Sequence, residues 1–316
     1  MNICITGALG HIGSYIIRNL NLNNLNNIYL VDNLLTQRYP SLFDLPADKN
    51  YIFYEMDILD ERMERIIKDS DILIHLAAIT DAAASFERVD DIEKVNKKGV
   101  EQVANLCAKY ECKLIFPSST SVYGSQEKLV DENCKELAPQ SPYAESKIWA
   151  ENLLSSLAKK KGFKHITFRF GTIFGYSIGM RFHTAVNKFI WQAVNGQKIT
   201  VWKTALYQKR PYLDIQDAAA AINHTIEKDL FDNEIYNIVT HGLTVNDVVE
   251  TIKKYVPNLD VELVEHKIMN QLSYDASNKK ALQKGFVFRG NIDKRVRETV
   301  EKLRSVNCTV PISIKK

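Results

Sequence analysis

Tyr143 and Lys147 stand four residues apart, just after Pro142. On a helix, residues i and i+4 share a face, so the phenol and the ammonium can reach one point. A nearby cation favours the phenolate, which turns a tyrosine into a usable general base. The spacing alone is common by chance. Its weight comes from residues 116–124, Phe-Pro-Ser-Ser-Thr-Ser-Val-Tyr-Gly, at the end of an apolar, strand-like run. Ligands of open parallel sheets bind beyond the carboxyl ends of the strands. A hydroxyl presented there, from Ser118, Ser119 or Thr120, could hold a substrate oxygen while Tyr143 takes its proton.

A second constellation opens the chain. Gly7, Gly10 and Gly13 form a G-x-x-G-x-x-G turn, with His11 and Ile12 inside it, between a strand-like run and a helical one. Glycines let the backbone turn tightly and approach a pyrophosphate, whose charge then sits on a helix N-terminus. Asp32 ends the next strand-like run. A carboxylate there accepts hydrogen bonds from ribose hydroxyls and repels a 2′-phosphate, which favours NAD over NADP. Arg38 nearby is the one residue that argues for NADP.

Together these motifs resemble an extended short-chain dehydrogenase/reductase of the NAD-dependent sugar-nucleotide epimerase/dehydratase family. The resemblance rests on residues 6–13, 31–34, Asp57-Ile58, 75–78, Asn96, 118–124 and 141–147. It implies a Rossmann-type, doubly wound parallel α/β sheet and a smaller, interleaved C-terminal α/β domain for substrate. It implies NAD as cofactor, with Asn33, Asp57, Ile58, Leu76, Ala77, Ala78 and Asn96 lining its site beside the glycines, His11, Ile12 and Asp32. Ser119, with Ser118 as the alternative, would be the catalytic hydroxyl beside Tyr143 and Lys147. The substrate would be a nucleotide-diphosphate sugar, with Thr120, Arg181, Asn187 and Arg210 binding it. Arg210 lies in a segment, residues 210–217, that resembles Arg-x-Tyr-x-His-Val-x-Asp; its arginine would take the diphosphate, as arginine suits bidentate phosphate contacts.

Three departures bear on the reaction. Asp214 stands in place of the usual His, Thr172 in place of an Asn, and Thr80 where UDP-galactose 4-epimerases tend to carry Lys. Positions 120 and 121 hold Thr and Ser, where 4,6-dehydratases carry an acid–base pair. The expected activity is therefore oxidoreduction at C4, foremost 4-epimerisation. The alternatives are a 4-dehydrogenase or 4-ketoreductase and, further off, a 4,6-dehydratase or a catalytically idle NAD-binding protein.

The hydropathy pattern gives the scaffold for these residues. Short apolar runs at residues 2–6, 28–32, 51–54, 72–77, 113–118 and 165–170 read as strands. Helical stretches at 11–22, 61–68, 91–110 and 142–161 separate them. Strands that are apolar on both faces, with helical spacers, predict parallel βαβ units. The expected division is residues 1–165 for the cofactor and mainly 176–316 for the substrate. Runs near 166–175 and 234–240 are expected to return to the first sheet. Residues 91–110 and 142–161 resemble the helices of the family's four-helix dimer interface, so a homodimer is expected.

Composition closes off other classes. The 316 residues are 45% hydrophobic and 25% charged, with a net charge of +3. Such a balance lacks the clustered basic excess of nucleic-acid binders. No apolar run is long enough to span a bilayer. The N-terminus has no signal-peptide pattern, and five cysteines without a Cys-x-x-Cys pair fit a reducing compartment and no metal centre. A cytoplasmic enzyme, with neither nucleic acid nor membrane as partner, is the expectation.

Overall fold

The computed structural model describes residues 1–82, 84–126, 129–265 and 274–304. The chain begins with strand β1 (Asn2–Thr6), helix α1 (His11–Asn19), and strands β2 (Asn27–Asp32) and β3 (Tyr51–Glu55). Helix α2 (Met63–Lys68) and strand β4 (Ile72–His75) come next. A single turn, α3 (Val89–Asp91), runs through a π-helical stretch, Ile92–Gly99, into α4 (Val100–Tyr110). Strand β5 (Lys113–Ser119), helix α5 (Pro142–Lys161) and strand β6 (His165–Phe170) complete the first half.

The second half holds β7 (Thr172–Phe174), α6 (Ala185–Val194), β8 (Ile199–Trp202), β9 (Lys209–Asp214) and α7 (Ile215–Glu227). It continues through β10 (Ile235–Ile238), β11 (His241–Thr244), α8 (Val245–Lys253), β12 (Val261–Val264), α9 (Lys279–Gln283) and α10 (Ile292–Leu303).

Seven strands form one parallel sheet in the order β10-β6-β5-β4-β1-β2-β3. Side chains alternate across it. Ile3 and Ile5 pack with Ile16 and Ile17 of α1 and Ile222 of α7. Cys4 between them packs on the opposite face, with Ile66 of α2, Val103 of α4 and Leu154 of α5. Covering both faces is what makes each strand read as a continuous apolar run. The sheet order reverses at β1, which has β2 on one side and β4 on the other. The crevice beyond the carboxyl ends of β1 and β4 is where such folds take ligands.

The sheet draws on both halves, since β10 pairs with β6. Residues 166–175 do not return to it as a unit. β6 stays in the large sheet, whereas β7 turns away to pair with β9 in a second sheet, β11-β9-β7. The smaller lobe closes around Val186 and Ile190 of α6, Val248 and Ile252 of α8, and Val296 and Val300 of α10. The single helix expected over residues 91–110 is also locally different. Its π-helical stretch ends at Gly99, where a Cβ would sit 2.4 Å from Ile58 Cδ1. Among the described residues no helix is long and apolar enough to cross a membrane.

Candidate active site

The glycine turn links the end of β1 to α1. Gly7 adopts φ +64, and a Cβ there would lie 2.6 Å from the Ala77 nitrogen. A Cβ on Gly13 would lie 2.5 Å from the Ala8 carbonyl oxygen. Gly10 is the N-cap of α1 and brings no capping side chain, so the first N–H groups of the helix stay available. A backbone cradle without side chains, at an uncapped helix N-terminus, is the donor set that a pyrophosphate needs. His11 is buried, and its Nε2 donates to the Gly175 carbonyl at 2.8 Å. Burial, reinforced by Arg181, lowers its pKa to about 3. It is neutral and anchors the second half of the chain to the turn.

Asp32, at the end of β2, accepts from the Leu9 and Leu34 backbone nitrogens at 3.0 and 2.9 Å. It therefore stiffens the glycine turn besides facing the crevice. Asn33 donates to Asp57 at 3.0 Å, which joins the ends of β2 and β3. Ile58 is buried against the π-helical stretch. Leu76, Ala77 and Ala78 come directly after β4, and Leu76 donates its N–H to the Thr6 carbonyl at 2.9 Å. These residues surround one end of the crevice.

Asn96 is held by protein partners at both ends of its amide. Its amide accepts from the Ile79 nitrogen at 2.8 Å and donates to the Ile79 carbonyl at 2.9 Å. It also donates to Ser146 Oγ at 3.2 Å. Both ends of the amide are committed, so Asn96 ties the loop after β4 to α5.

Tyr143 enters α5 behind a built start. Ser141 is the N-cap, its hydroxyl accepts from the Ala144 nitrogen at 3.2 Å, and Pro142 takes the first turn. The phenol lies beside Ser119. Burial raises its pKa overall, while Arg181 and then the neighbouring Ser119 hydroxyl pull it back towards the phenolate. The two serine alternatives separate here. Ser118 donates to Glu151 at 2.6 Å behind the sheet, and Ser119 lies with Tyr143. Ser121 supports Ser119 by donating its hydroxyl at 2.9 Å.

Lys147 sits one turn along. Its Nζ donates to the Pro117 carbonyl at 2.8 Å and lies 5.8 Å from the Tyr143 ring centroid. Burial lowers its pKa to about 8, against an opposing pull from Glu151. The cation that pulls Tyr143 towards the phenolate is thus Arg181 from the second half, rather than the lysine that the i, i+4 spacing suggested.

The expected substrate residues divide. The Arg181 guanidinium is hydrogen-bonded through Nη1 to the Thr80 hydroxyl, and its Nε is buried without a partner among the described residues. Arg210, on β9, likewise keeps a buried, unpartnered Nε. Two arginines with unused Nε donors therefore stand close to the site, Arg181 near Tyr143 and Arg210 near Tyr274. Thr120 and Asn187 both spend their side chains on protein partners. Thr120 is buried, donates to the Phe170 carbonyl at 3.3 Å and accepts from Tyr274 at 3.1 Å. Asn187 is fully buried, accepting from the Gly175 nitrogen and donating to the Arg181 carbonyl at 3.1 Å. It holds the loop that carries Arg181.

Sequence reasoning missed three features. Gly175, Ser177 and Gly179 pack onto the glycine turn, where Ser177 donates to the His11 carbonyl and a Cβ on Gly179 would meet the Leu9 carbonyl oxygen at 2.3 Å. Tyr274 donates its hydroxyl to Thr120 at 3.1 Å. Glu151, four residues beyond Lys147, forms a buried pair with Arg169; its spacing was a visible signal. Asp214, the residue in place of a His, has its own explanation: it caps α7 and pairs with Arg295 at 3.0 Å.

The model of the NAD dependent epimerase/dehydratase family matches residues 3–239. An uncharacterized UDP-glucose epimerase of Bacillus subtilis, YtcB, is 25% identical over 75% of this chain and 76% of its own. A dTDP-D-glucose 4,6-dehydratase of Dictyostelium discoideum is 31% identical over 75% of this chain, which spans only 58% of that enzyme. Among solved structures, the UDP-N-acetylglucosamine 4-epimerase of Methanobrevibacter ruminantium superposes with a TM-score of 0.85. It is 25% identical and covers 96% of this chain and 98% of its own.

Proposed function

From the premise that the chain belongs to the NAD-dependent epimerase/dehydratase family, we propose that it epimerises a nucleotide-diphosphate sugar at C4 through a transient 4-keto sugar. The observation that carries this reading is the meeting of Ser119, Tyr143 and Arg181 beside the glycine cradle. The cradle, the uncapped α1 and Asp32 fit NAD. When bound, NAD supplies the acceptor for the C4 hydride and the donor that returns it.

The chain's own residues do the rest. Tyr143 removes the proton of the C4 hydroxyl and gives it back to the ketone oxygen after the sugar has turned over. Ser119 holds that oxygen by a hydrogen bond. Lys147, buried under the site, holds the ribose hydroxyls of the cofactor and adds positive charge. Arg210 and Arg181 meet the substrate diphosphate and its surroundings with Nε donors that no group among the described residues uses. Keeping the ketone in the pocket makes the return step unimolecular. The relatives include UDP-glucose and UDP-N-acetylglucosamine epimerases, which supports UDP as the nucleotide. Thr and Ser at positions 120 and 121 supply no carboxylate for water loss. The functional unit is a homodimer joined through α4 and α5.

Incubation with UDP-, GDP-, CDP- and dTDP-sugars, with mass spectrometry and NMR of the products, tests the reaction. Unchanged mass with inverted C4 supports epimerisation. A loss of two mass units indicates net oxidation, and a loss of eighteen indicates dehydration. Tyr143→Phe should lower kcat by about 10²–10⁴-fold, the usual range for removing a general acid–base group.

A further inference from the structure

Behind Ser119 and Lys147 lies a polar cluster with no part in the proton and hydride transfers. Glu151 is four residues beyond Lys147 on α5, so both occupy one buried face. Its carboxylate accepts from Ser118 Oγ at 2.6 Å, from Arg169 Nε at 3.0 Å and from Arg169 Nη2 at 2.7 Å. The Arg169 and Glu151 side chains are only 4% and 5% exposed. Arg169 also lies 4.9 Å over the Tyr123 ring. A buried ion pair is seldom more stable than an apolar replacement, so stability alone is a weak reason for it.

Position supplies a better reason. Ser118 is the residue before Ser119 on β5, so the Glu151 bond fixes the strand exit that presents Ser119. Lys147 is faced by His75 from β4, by the Phe116 ring and the Pro117 carbonyl from β5, and by Tyr143 and Glu151 from its own helix. His75 is neutral, its pKa lowered by burial to about 3. Among these groups Glu151 alone brings a full negative charge.

We propose that Glu151 is a positioning residue: through Ser118 it places Ser119, and along α5 it supplies the counter-charge that keeps Lys147 cationic. The inference rests on the catalytic roles proposed for Ser119 and Lys147. Its charge arm is nevertheless testable without turnover. Burial already lowers the Lys147 pKa to about 8, with Glu151 opposing the fall. Removing the carboxylate also leaves Arg169 as an unpaired cation, so both changes act in the same direction.

The test measures acetylation of Lys147 by acetic anhydride against pH in the full chain, read by peptide mass spectrometry. Only the neutral amine reacts, so the inflection reports the charge on Lys147. It is expected near pH 8 in the wild type and at least one unit lower in Glu151→Gln. Ser118→Ala keeps the charge and should leave the inflection in place, while lowering kcat severalfold at unchanged KM. If Glu151→Gln does not fold, Glu151→Gln/Arg169→Gln is measured instead, again with a lower inflection expected. An inflection that stays at the wild-type pH in the folded Glu151 variant overturns the counter-charge, and an unchanged kcat in Ser118→Ala overturns the placement of Ser119. A wild type that shows the inflection but turns over no sugar would instead count against the proposed reaction.

Discussion

Lys147 shows how a single side chain can hold function against stability. Its pKa is lowered from 10.5 to about 8 by burial. Below pH 8 both folded and unfolded chains carry the proton, and the full penalty is present. Two and a half units correspond to about 3 kcal/mol. Between pH 8 and 10.5 the unfolded chain binds a proton that the folded chain lacks, so stability rises with pH. Lys147→Met forfeits one hydrogen bond to Pro117, worth about 1 kcal/mol. The variant should therefore be about 2 kcal/mol more stable than the wild type at pH 7, and less so at pH 9.5, while losing activity. Urea unfolding at the two pH values checks this; an equal difference at both would remove Lys147 as the source. The motif residues themselves were legible in the sequence because chemistry restricts their type and spacing. The bonding partners of their amides and hydroxyls were not. Asn96, Asn187 and Thr120 spend their polar groups on backbone, on Ser146 or on Tyr274, partners brought close only by folding.

At the scale of elements, the cradle between β1 and α1 depends on the backbone that leaves β4. Gly7 has φ +64, and the space a Cβ would need is filled by the Ala77 nitrogen at 2.6 Å and the Leu76 carbonyl carbon at 2.7 Å. An alanine in the left-handed region carries a penalty of roughly 1–2 kcal/mol before any collision. Gly7→Ala should thus force β1 and the β4 exit apart and weaken NAD binding at least tenfold, since about 1.4 kcal/mol is a factor of ten. Titration calorimetry with NAD measures it, and an unaltered Kd would mean that the cofactor binds elsewhere. The strands that build this cradle were readable because burial on both faces leaves continuous apolar runs. The split between β6 and β7 was not, because both are apolar and only their partners differ: β5 and β10 for one, β9 for the other. The π-helical stretch was equally hidden, since it arises where Gly99 meets Ile58 from a distant segment.

At the scale of the whole molecule, the dimer proposal turns on one face. Helices α4 and α5 cover one side of the sheet, with Val103, Cys107 and Leu154 turned into the core. Leu106 of α4 and Trp149 and Leu153 of α5 pack only partly against that core and keep apolar surface outward. Two adjacent helices with such an outer stripe suit a second copy, which would place four helices together about a two-fold axis. A stable contact of this kind removes more than about 1,000 Å² from water in total. The chain should therefore migrate at twice its 36.1 kDa in light scattering coupled to size exclusion. Leu153→Glu places a carboxylate on that outer apolar stripe and should give a monomer with unchanged far-ultraviolet circular dichroism. A wild type that is monomeric at micromolar concentration would end the dimer proposal. Tyr143 and Lys147 sit on α5 as well, so under the proposed reading the same helix would present the catalytic pair at its start and the dimer contact further along. Loss of the partner should consequently reach the site: the Leu153→Glu monomer is expected to keep its fold yet show a lower kcat, as the start of α5 loses the support that holds Tyr143 against Ser119.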